Sequence, residues 1–193
     1  MKTDKTILSL FDYSGNWSRP YREKGYNVIQ VDIKLGQDIM TLDCKSMPSV
    51  YGVLAAVPCT AFAASGARWF AIKDRTGETA HFVKLLYKTL EIVKHCNPSF
   101  WAIENPVGRI GSFTKLPKPF YFQPCDYGDP YTKKTGLWGN FVPPLPLFSG
   151  GYYQPVYPTE GSKMHLLPPS KDRATLRSVT PPGFAQAFYE ANK

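Results

Sequence analysis

The sequence predicts an α/β fold, a mostly parallel sheet with helices on both faces, and three observations predict it. Apolar runs of strand length alternate with segments of helical spacing through the first half of the chain. Polar residues stand at the carboxyl ends of those runs, where open parallel sheets bind ligands. The 18 prolines crowd the second half, since all but Pro20, Pro48 and Pro58 follow Asn97. Proline removes a backbone donor and fixes φ, so that half is the more extended and loop-rich.

The elements follow in order. Thr6-Ile7-Leu8-Ser9-Leu10-Phe11 is an apolar run suited to a buried strand. Asp12-Tyr13-Ser14-Gly15-Asn16 makes a turn, and Trp17 to Lys24 reads as a short helix with Pro20 near its first turn. Asn27 to Asp32 is a second strand. Tyr51 to Val57 is a third, ending at Pro58-Cys59. From Thr79 to His95, the apolar residues Phe82, Leu85, Leu86, Leu90 and Val93 recur at helical spacing. Phe100-Trp101-Ala102-Ile103 is a fourth strand that ends at Glu104-Asn105-Pro106, and Pro182 to Tyr189 forms an amphipathic helix.

Composition bounds the rest. A chain of 193 residues fits one domain, residues 1–193, and buries enough surface for a core without disulfides. With 43% hydrophobic and 20% charged residues it is neither disordered nor fibrous. The net charge of +8 favours anionic partners, nucleic acid first. No apolar stretch approaches the roughly 18 residues of a membrane span, and Met1 to Lys5 leads into a strand rather than a signal peptide. A soluble, cytoplasmic protein is expected. Cys44, Cys59, Cys96 and Cys125 form no CxxC pair, and His81, His95 and His165 form no ligand cluster. That pattern argues against a disulfide framework and against a metal site.

Three places can carry chemistry. In the first turn, Gly15 can take positive φ and let a ligand approach the backbone. Asp32, at the end of the second strand, can accept hydrogen bonds from ribose hydroxyls, or can simply cap a turn. Cys59 lies just past a strand end and is either a nucleophile or a buried core thiol. Cys44, Cys96 and Cys125 read as core. Glu104 follows an apolar strand, so one low-dielectric side can raise its pKa and make it an acid; the alternative is a structural ion pair with Arg109.

Taken in order, these segments resemble the DNA cytosine-5 methyltransferase family. Phe11-Asp12-Tyr13-Ser14-Gly15-Asn16 resembles the family's FxGxG turn, with Tyr13 at its first glycine. Asp32 resembles the ribose-binding acid, and Gly36-Gln37-Asp38-Ile39 the short Gly-Asp-Ile motif. Pro58-Cys59, with Phe62 and Gly66 downstream, resembles the Pro-Cys nucleophile loop; Glu104-Asn105-Pro106 resembles Glu-Asn-Val. Tyr127 to Thr135 lies on the Tyr-Gly-x-Pro-Gln-x-Arg-x-Arg segment, where Lys133 keeps a positive charge while Tyr131 and Thr135 replace the glutamine and the second arginine. Arg177 to Ala185 resembles the closing segment that returns to the cofactor pocket.

The resemblance implies a Rossmann-like S-adenosylmethionine-dependent methyltransferase fold and methyl transfer to carbon 5 of cytosine in DNA through a covalent cysteine adduct. It implies that Phe11, Ser14, Gly15, Asn16, Asp32, Ile33, Asp38, Ile39 and Pro58 hold S-adenosylmethionine. Cys59, Glu104 and Lys133 would be catalytic, and Ser65, Arg109, Lys171 and Arg173 would contact substrate. The small residues Ala61, Ala63, Ala64, Ser65 and Gly66 suit a mobile loop beside Cys59, or plain loop filler.

Residues 141–172 are a reduced Pro/Gly/Tyr-rich insertion in place of a target-recognition domain. Pro143-Pro144-Leu145-Pro146 and Gly150-Gly151-Tyr152-Tyr153 suggest an extended loop with aromatics that stack on bases or pack on the surface. Lys163, Lys171, Arg173 and Arg177 are candidates for phosphate contacts or a solvated basic face. Such a chain reads little duplex sequence unaided. It would act on a short DNA context, on single strands or on nucleotides, or borrow specificity from a protein partner. Compact enzymes of this sort resemble those of phages, acting in a bacterial or phage-infected cell. Two alternatives stay open: an inactive relative that binds nucleic acid or a partner, and the same chemistry on a free pyrimidine nucleotide.

Overall fold

The computed structural model of the chain describes residues 3–149 and 152–193. Met1 and Lys2 lie outside the described residues, as does the Gly150-Gly151 pair of the expected aromatic loop. Six strands form the central sheet: β1 (Thr6–Leu10), β2 (Asn27–Val31), β3 (Val50–Ala55), β4 (Phe100–Pro106), β5 (Phe120–Phe122) and β6 (Thr135–Asn140), in the order β2-β1-β3-β4-β6-β5. The β1–β2, β1–β3 and β3–β4 pairs are parallel, while β6 runs antiparallel to both β4 and β5. All five residues of β1 are buried because it is flanked on both edges and covered on both faces.

Side-chain alternation divides the core into two layers. Leu8, Leu10, Val53, Ala55 and Ile103 point to one face and pack under Leu85, Leu86, Ile92 and Val93 of helix α3 (Glu78–Cys96), which is preceded by the short α2 (Phe70–Arg75). Ile7, Leu54, Phe100 and Ala102 point to the other. There they meet Trp17, Tyr21 of α1 (Arg19–Glu23), and Phe184 and Phe188 of the last helix, Pro182–Ala191. Phe184 stacks on Phe122 with ring centroids 3.8 Å apart and planes 8° from parallel, which fixes that helix to β5. The fold is thus Rossmann-like, mostly parallel, with helices on both faces, as the sequence predicts.

Three differences matter for the site. First, β4 runs on through Glu104, Asn105 and Pro106, which pair with Leu137, Gly136 and Thr135 of β6. The polar residues expected to end the strand therefore lie inside the sheet, screened by a neighbouring strand that the sequence pattern does not reveal. Second, the crossover from β2 to β3 holds three short 3₁₀ turns instead of a long helix. Asp32, Asp38 and Asp43 cap them, each carboxylate accepting the N–H two residues on, from Lys34, Met40 and Lys45 at 2.8–2.9 Å.

Third, the small-residue segment after Cys59 is tied down at its start: Ala61, Phe62 and Ala63 are buried and bound to the segment after β4, while Ala64 and Ser65 are exposed. Arg109 N–H donates to Phe62 O at 2.8 Å, Ala64 N–H donates to Val107 O at 2.9 Å, and Ala63 bridges Gly108. A Cβ on Gly108 would fall 1.9 Å from Phe62 O, so only glycine lets the two backbones approach. Gly108→Ala is expected to destabilise the fold by about 1–3 kcal/mol, read as a lower denaturant midpoint; an unchanged midpoint would show that the loop yields freely.

Described residues of the 141–172 segment pack against the body of the protein. Its secondary structure is a small ribbon, β7 (Phe148–Ser149) with β8 (Tyr152–Tyr153), and a single-turn helix α4 (Lys163–Leu166). Leu147 N–H donates to Asp126 O, Val156 N–H to Cys125 O and the Tyr127 hydroxyl to Pro144 O. Tyr152 and Tyr157 are exposed. Helix α5 (Arg173–Ser178) follows, and the terminal helix is α6 (Pro182–Ala191). Cys125 is buried, while Cys44 and Cys96 are half-buried against the α3-side core. Among the described residues no helix is long and apolar enough to cross a membrane.

Candidate functional site

In this strand order the chain leaves β1 toward β2 on one side and later returns to β3 on the other. That reversal opens a crevice beyond the carboxyl ends of the strands. A cleft of about 850 Å³ lies there, inside the roughly 300–1,000 Å³ typical of small-molecule sites. Each strand end contributes to it: Phe11 after β1, Asp32 and Ile33 after β2, Pro58 and Cys59 after β3, and Pro106 and Val107 at β4. Asp38, Ile39 and Ser65 also line it, with Lys133 and Lys134 from the segment before β6.

The turn after β1 is built by a carboxylate that sequence reasoning passed over. Asp12 is 4% exposed, and its Oδ2 accepts the hydroxyls of Ser9 and Ser18 at 2.8 and 2.9 Å and the Ser18 N–H at 3.2 Å. Gln30 Nε2 donates to Asp12 O at 2.5 Å. Gly15 takes φ +68° within this knot, and Phe11, a bulky residue, sits at φ +58° on the cleft wall. Left-handed backbone costs an L-residue about 1–2 kcal/mol, and surrounding bonds hold it there, including Phe11 N–H to Val31 O at 2.8 Å. Ser14, Gly15 and Asn16 do not line the cleft. They shape the turn behind it, Ser14 Oγ toward Asp12 at 3.4 Å and Asn16 Nδ2 toward Thr180 O at 3.5 Å.

Beyond their caps, Asp32 and Asp38 each keep a second carboxylate oxygen with no hydrogen bond among the described residues. Between them Ile33 is 70% exposed on the cleft wall. Free carboxylate oxygens beside an uncovered aliphatic side chain fit a ligand with hydroxyl or amino donors and a flat apolar face.

Cys59, Lys133 and Arg177 line the cleft, while Glu104 lies beside Lys133 and is not itself a lining residue. Glu104 is 8% exposed, and Lys133 Nζ stands 3.8 Å from its Oε1 while donating to Arg177 O at 3.0 Å. Burial pushes the Glu104 carboxyl up, and Lys133 partly opposes that. The Cys59 thiol is also pushed up, first by burial and then by the Glu104 charge, while Lys133 and Arg177 pull it down. Cys59, Glu104, Lys133 and Arg177 therefore form one electrostatic cluster. Asn105, fully buried, ties the frame together: its Nδ2 donates to Val57 O at 2.8 Å, joining β4 to the chain two residues before Cys59.

Arg109 is neither the partner of Glu104 nor a cleft residue. Its guanidinium forks onto Asp74 with two 2.8 Å bonds, donates to Ala61 O at 2.9 Å and to Thr79 Oγ1 at 3.0 Å, and packs over Phe70. It holds the Asp74 carboxyl down to about 2. Lys171 and Arg173 also lie off the cleft; Lys171 is exposed, and Arg173 Nη2 donates to His165 O at 3.4 Å. Residues that carry no motif in the sequence complete the wall: His81 and Phe82 from α3, Met164 and His165 from α4, and Ala174 and Ser178 from α5. The α4–α5 segment roofs the cleft, with Lys34 Nζ donating to Thr175 Oγ1 at 2.5 Å.

No protein-family model matches the sequence, and no curated protein matches it. Among solved structures, the chain is similar to a protein described as a DNA modification methyltransferase encoded within an E. coli prophage. That alignment has 16% identity and a TM-score of 0.46, and covers 71% of this chain and 47% of the other. It is also similar to the Entamoeba histolytica methyltransferase EhMeth, at 13% identity and a TM-score of 0.44, over 88% of this chain and 61% of the other. The chain thus spans less than two thirds of either neighbour's length. Its own topology is a mostly parallel, Rossmann-like sheet completed by the antiparallel strand β6 between β4 and β5.

Proposed function

We propose that the chain is a methyltransferase that uses S-adenosylmethionine to methylate carbon 5 of cytosine in DNA through a covalent bond to Cys59. One observation carries this reading: a strand-end thiol, Cys59, and two acids, Asp32 and Asp38, line one cleft, and a buried carboxylate, Glu104, stands 3.8 Å from Lys133 of its wall. Asp32 would take the ribose hydroxyls and Asp38 an amino group, with Ile33 and Ile39 against the base and Phe11 and Pro58 on the walls. When bound, S-adenosylmethionine supplies an electrophilic methyl group on a sulfonium.

The chain's own residues do the rest. Carbon 5 of cytosine is a poor nucleophile, so Cys59 Sγ adds to carbon 6 and the ring's π pair shifts toward carbon 5. Glu104 holds a proton at ring nitrogen 3, which neutralises the charge that develops there and selects a base with an acceptor at that position. Lys133 offsets the Glu104 charge that would oppose a thiolate. After transfer, the carbon 5 proton leaves to a base, the Sγ–carbon 6 bond breaks and the thiolate returns. In duplex DNA the base must first leave the stack, which costs a few kcal/mol.

The short Pro/Gly/Tyr-rich segment at 141–172 offers little surface for reading sequence. The reading therefore gives the protein a short DNA context, or specificity supplied by a protein partner. Its test is transfer of labelled methyl groups from S-adenosylmethionine to cytosine-containing DNA. Asp32→Ala is expected to weaken S-adenosylhomocysteine binding by about 10- to 100-fold, the worth of a charged hydrogen bond, with the thermal midpoint little changed. Unaltered calorimetric affinity would remove Asp32 from the cofactor site.

A further inference from the structure

The cleft is lined by Asp32 and Asp38 and by four cations, Lys34, Lys133, Lys134 and Arg177, of which Lys34 donates to Thr175 Oγ1. Arg177 stands apart from the other cations. Lys133 is held by Glu104 and by the Arg177 carbonyl, and Lys134 lies over the Tyr121 ring at 5.0 Å. Arg177 is half-buried and lines the cleft, and its guanidinium has no hydrogen bond or ion pair among the described residues. A planar cation with five donors and no protein partner, on a wall shared with Cys59 and Lys133, is an incomplete anion site. Position 135, where the resembled family carries an arginine, holds a buried threonine bonded to Lys133 O at 2.8 Å.

Resting on the proposed function, we infer that Arg177 binds the phosphate of the target nucleotide itself, so that the unit recognised beside Cys59 is a nucleoside phosphate and not the base alone. The guanidinium fork matches two phosphate oxygens, and α5 carries it on the cleft's roof while Lys133 grips its backbone carbonyl. A side-chain substitution at 177 leaves that carbonyl bond in place.

Binding is measured by calorimetry with four probes, deoxycytidine 5′-monophosphate, deoxyadenosine 5′-monophosphate, deoxycytidine and 2-deoxyribose 5-phosphate, on the wild type, Arg177→Gln and Arg177→Lys. The wild type is expected to bind the monophosphate about 10- to 100-fold more tightly than the nucleoside. Arg177→Gln erases that difference, Arg177→Lys restores part of it, and S-adenosylhomocysteine affinity holds throughout. Equal affinity of the wild type for nucleotide and nucleoside, or a preference that survives Arg177→Gln, would overturn the inference. Arg177-dependent binding of 2-deoxyribose 5-phosphate with no preference for cytosine over adenine nucleotides would support the anion site while counting against the cytosine chemistry. Cytosine-specific adduct formation at Cys59 that is indifferent to the phosphate and to Arg177 would do the reverse.

Discussion

Cys59→Ser is expected to lower methyl transfer by about 10³-fold or more, with S-adenosylhomocysteine affinity and thermal midpoint unchanged. A serine hydroxyl matches the thiol in size but is far harder to deprotonate, and here even the thiol is pushed up by burial and by Glu104. The loop itself does not depend on the sulfur. Its position comes from main-chain bonds, Phe62 N–H and Ala63 N–H to Cys59 O at 2.9 Å each, and from Asn105 on Val57 O. Turnover and affinity therefore separate cleanly. Wild-type turnover in this variant would take Cys59 out of the mechanism.

Glu104→Gln has the second large effect, about 10²- to 10⁴-fold in turnover, together with a change in the shape of the pH profile. The active protonation, a proton on Glu104 and none on Cys59, carries as many protons as the opposite arrangement. The wild-type rate is therefore level between the raised Glu104 pKa and the raised Cys59 pKa and falls outside them. Glutamine cannot ionise, so in the variant only Cys59 titrates and the residual rate climbs tenfold per pH unit until the thiol is ionised. A level profile in Glu104→Gln would show that Glu104 is not the second titrating group. Stability gives an independent check. Because the folded-state pKa is raised, the contribution of Glu104 is fully present below about pH 4.5 and is lost as pH rises through the folded value. The glutamine variant lacks that decline.

The parallel half of the sheet was legible because β1 and β3 are short, mostly apolar runs, the mark of buried strands, and the edge strand β2 sets Val28, Ile29 and Val31 between turn residues. Strand β6 was not. Its sequence Thr-Gly-Leu-Trp-Gly-Asn has two glycines and no alternation, because a Cβ at Gly139 would fall 2.0 Å from Trp101 O and one at Gly136 would meet the Trp138 ring at 2.8 Å. Close backbone approach dictated those residues, and close approach has no periodicity to read. Missing β6 also shortened β4, since Glu104 and Asn105 look like a strand end until a neighbour pairs with them.

The site divides along the same line. Asp32 and Cys59 were found because strand ends mark ligand crevices, and Glu104 because a carboxylate followed an apolar run. Arg109 misled because its charge suggested substrate while its geometry serves the loop, through Asp74 and Ala61. Met164, His165 and Ala174 lie in the proline-rich half, on helices of four and six residues that are too short for a helical period to show. Arg177 was visible there only as one of several surface cations, and folding α5 over the cleft is what sets it apart.

The central claim is that Cys59 bonds to carbon 6 of a cytosine. Its direct test is covalent trapping: the protein is incubated with S-adenosylmethionine and an oligonucleotide containing 5-fluorocytosine, duplex in one sample and single-stranded in another, and the intact mass is measured. Fluorine at carbon 5 prevents the final elimination, so the account predicts a stable protein–DNA adduct in the wild type and none in Cys59→Ser. No adduct on either strand form, in protein that still binds S-adenosylhomocysteine, would contradict it.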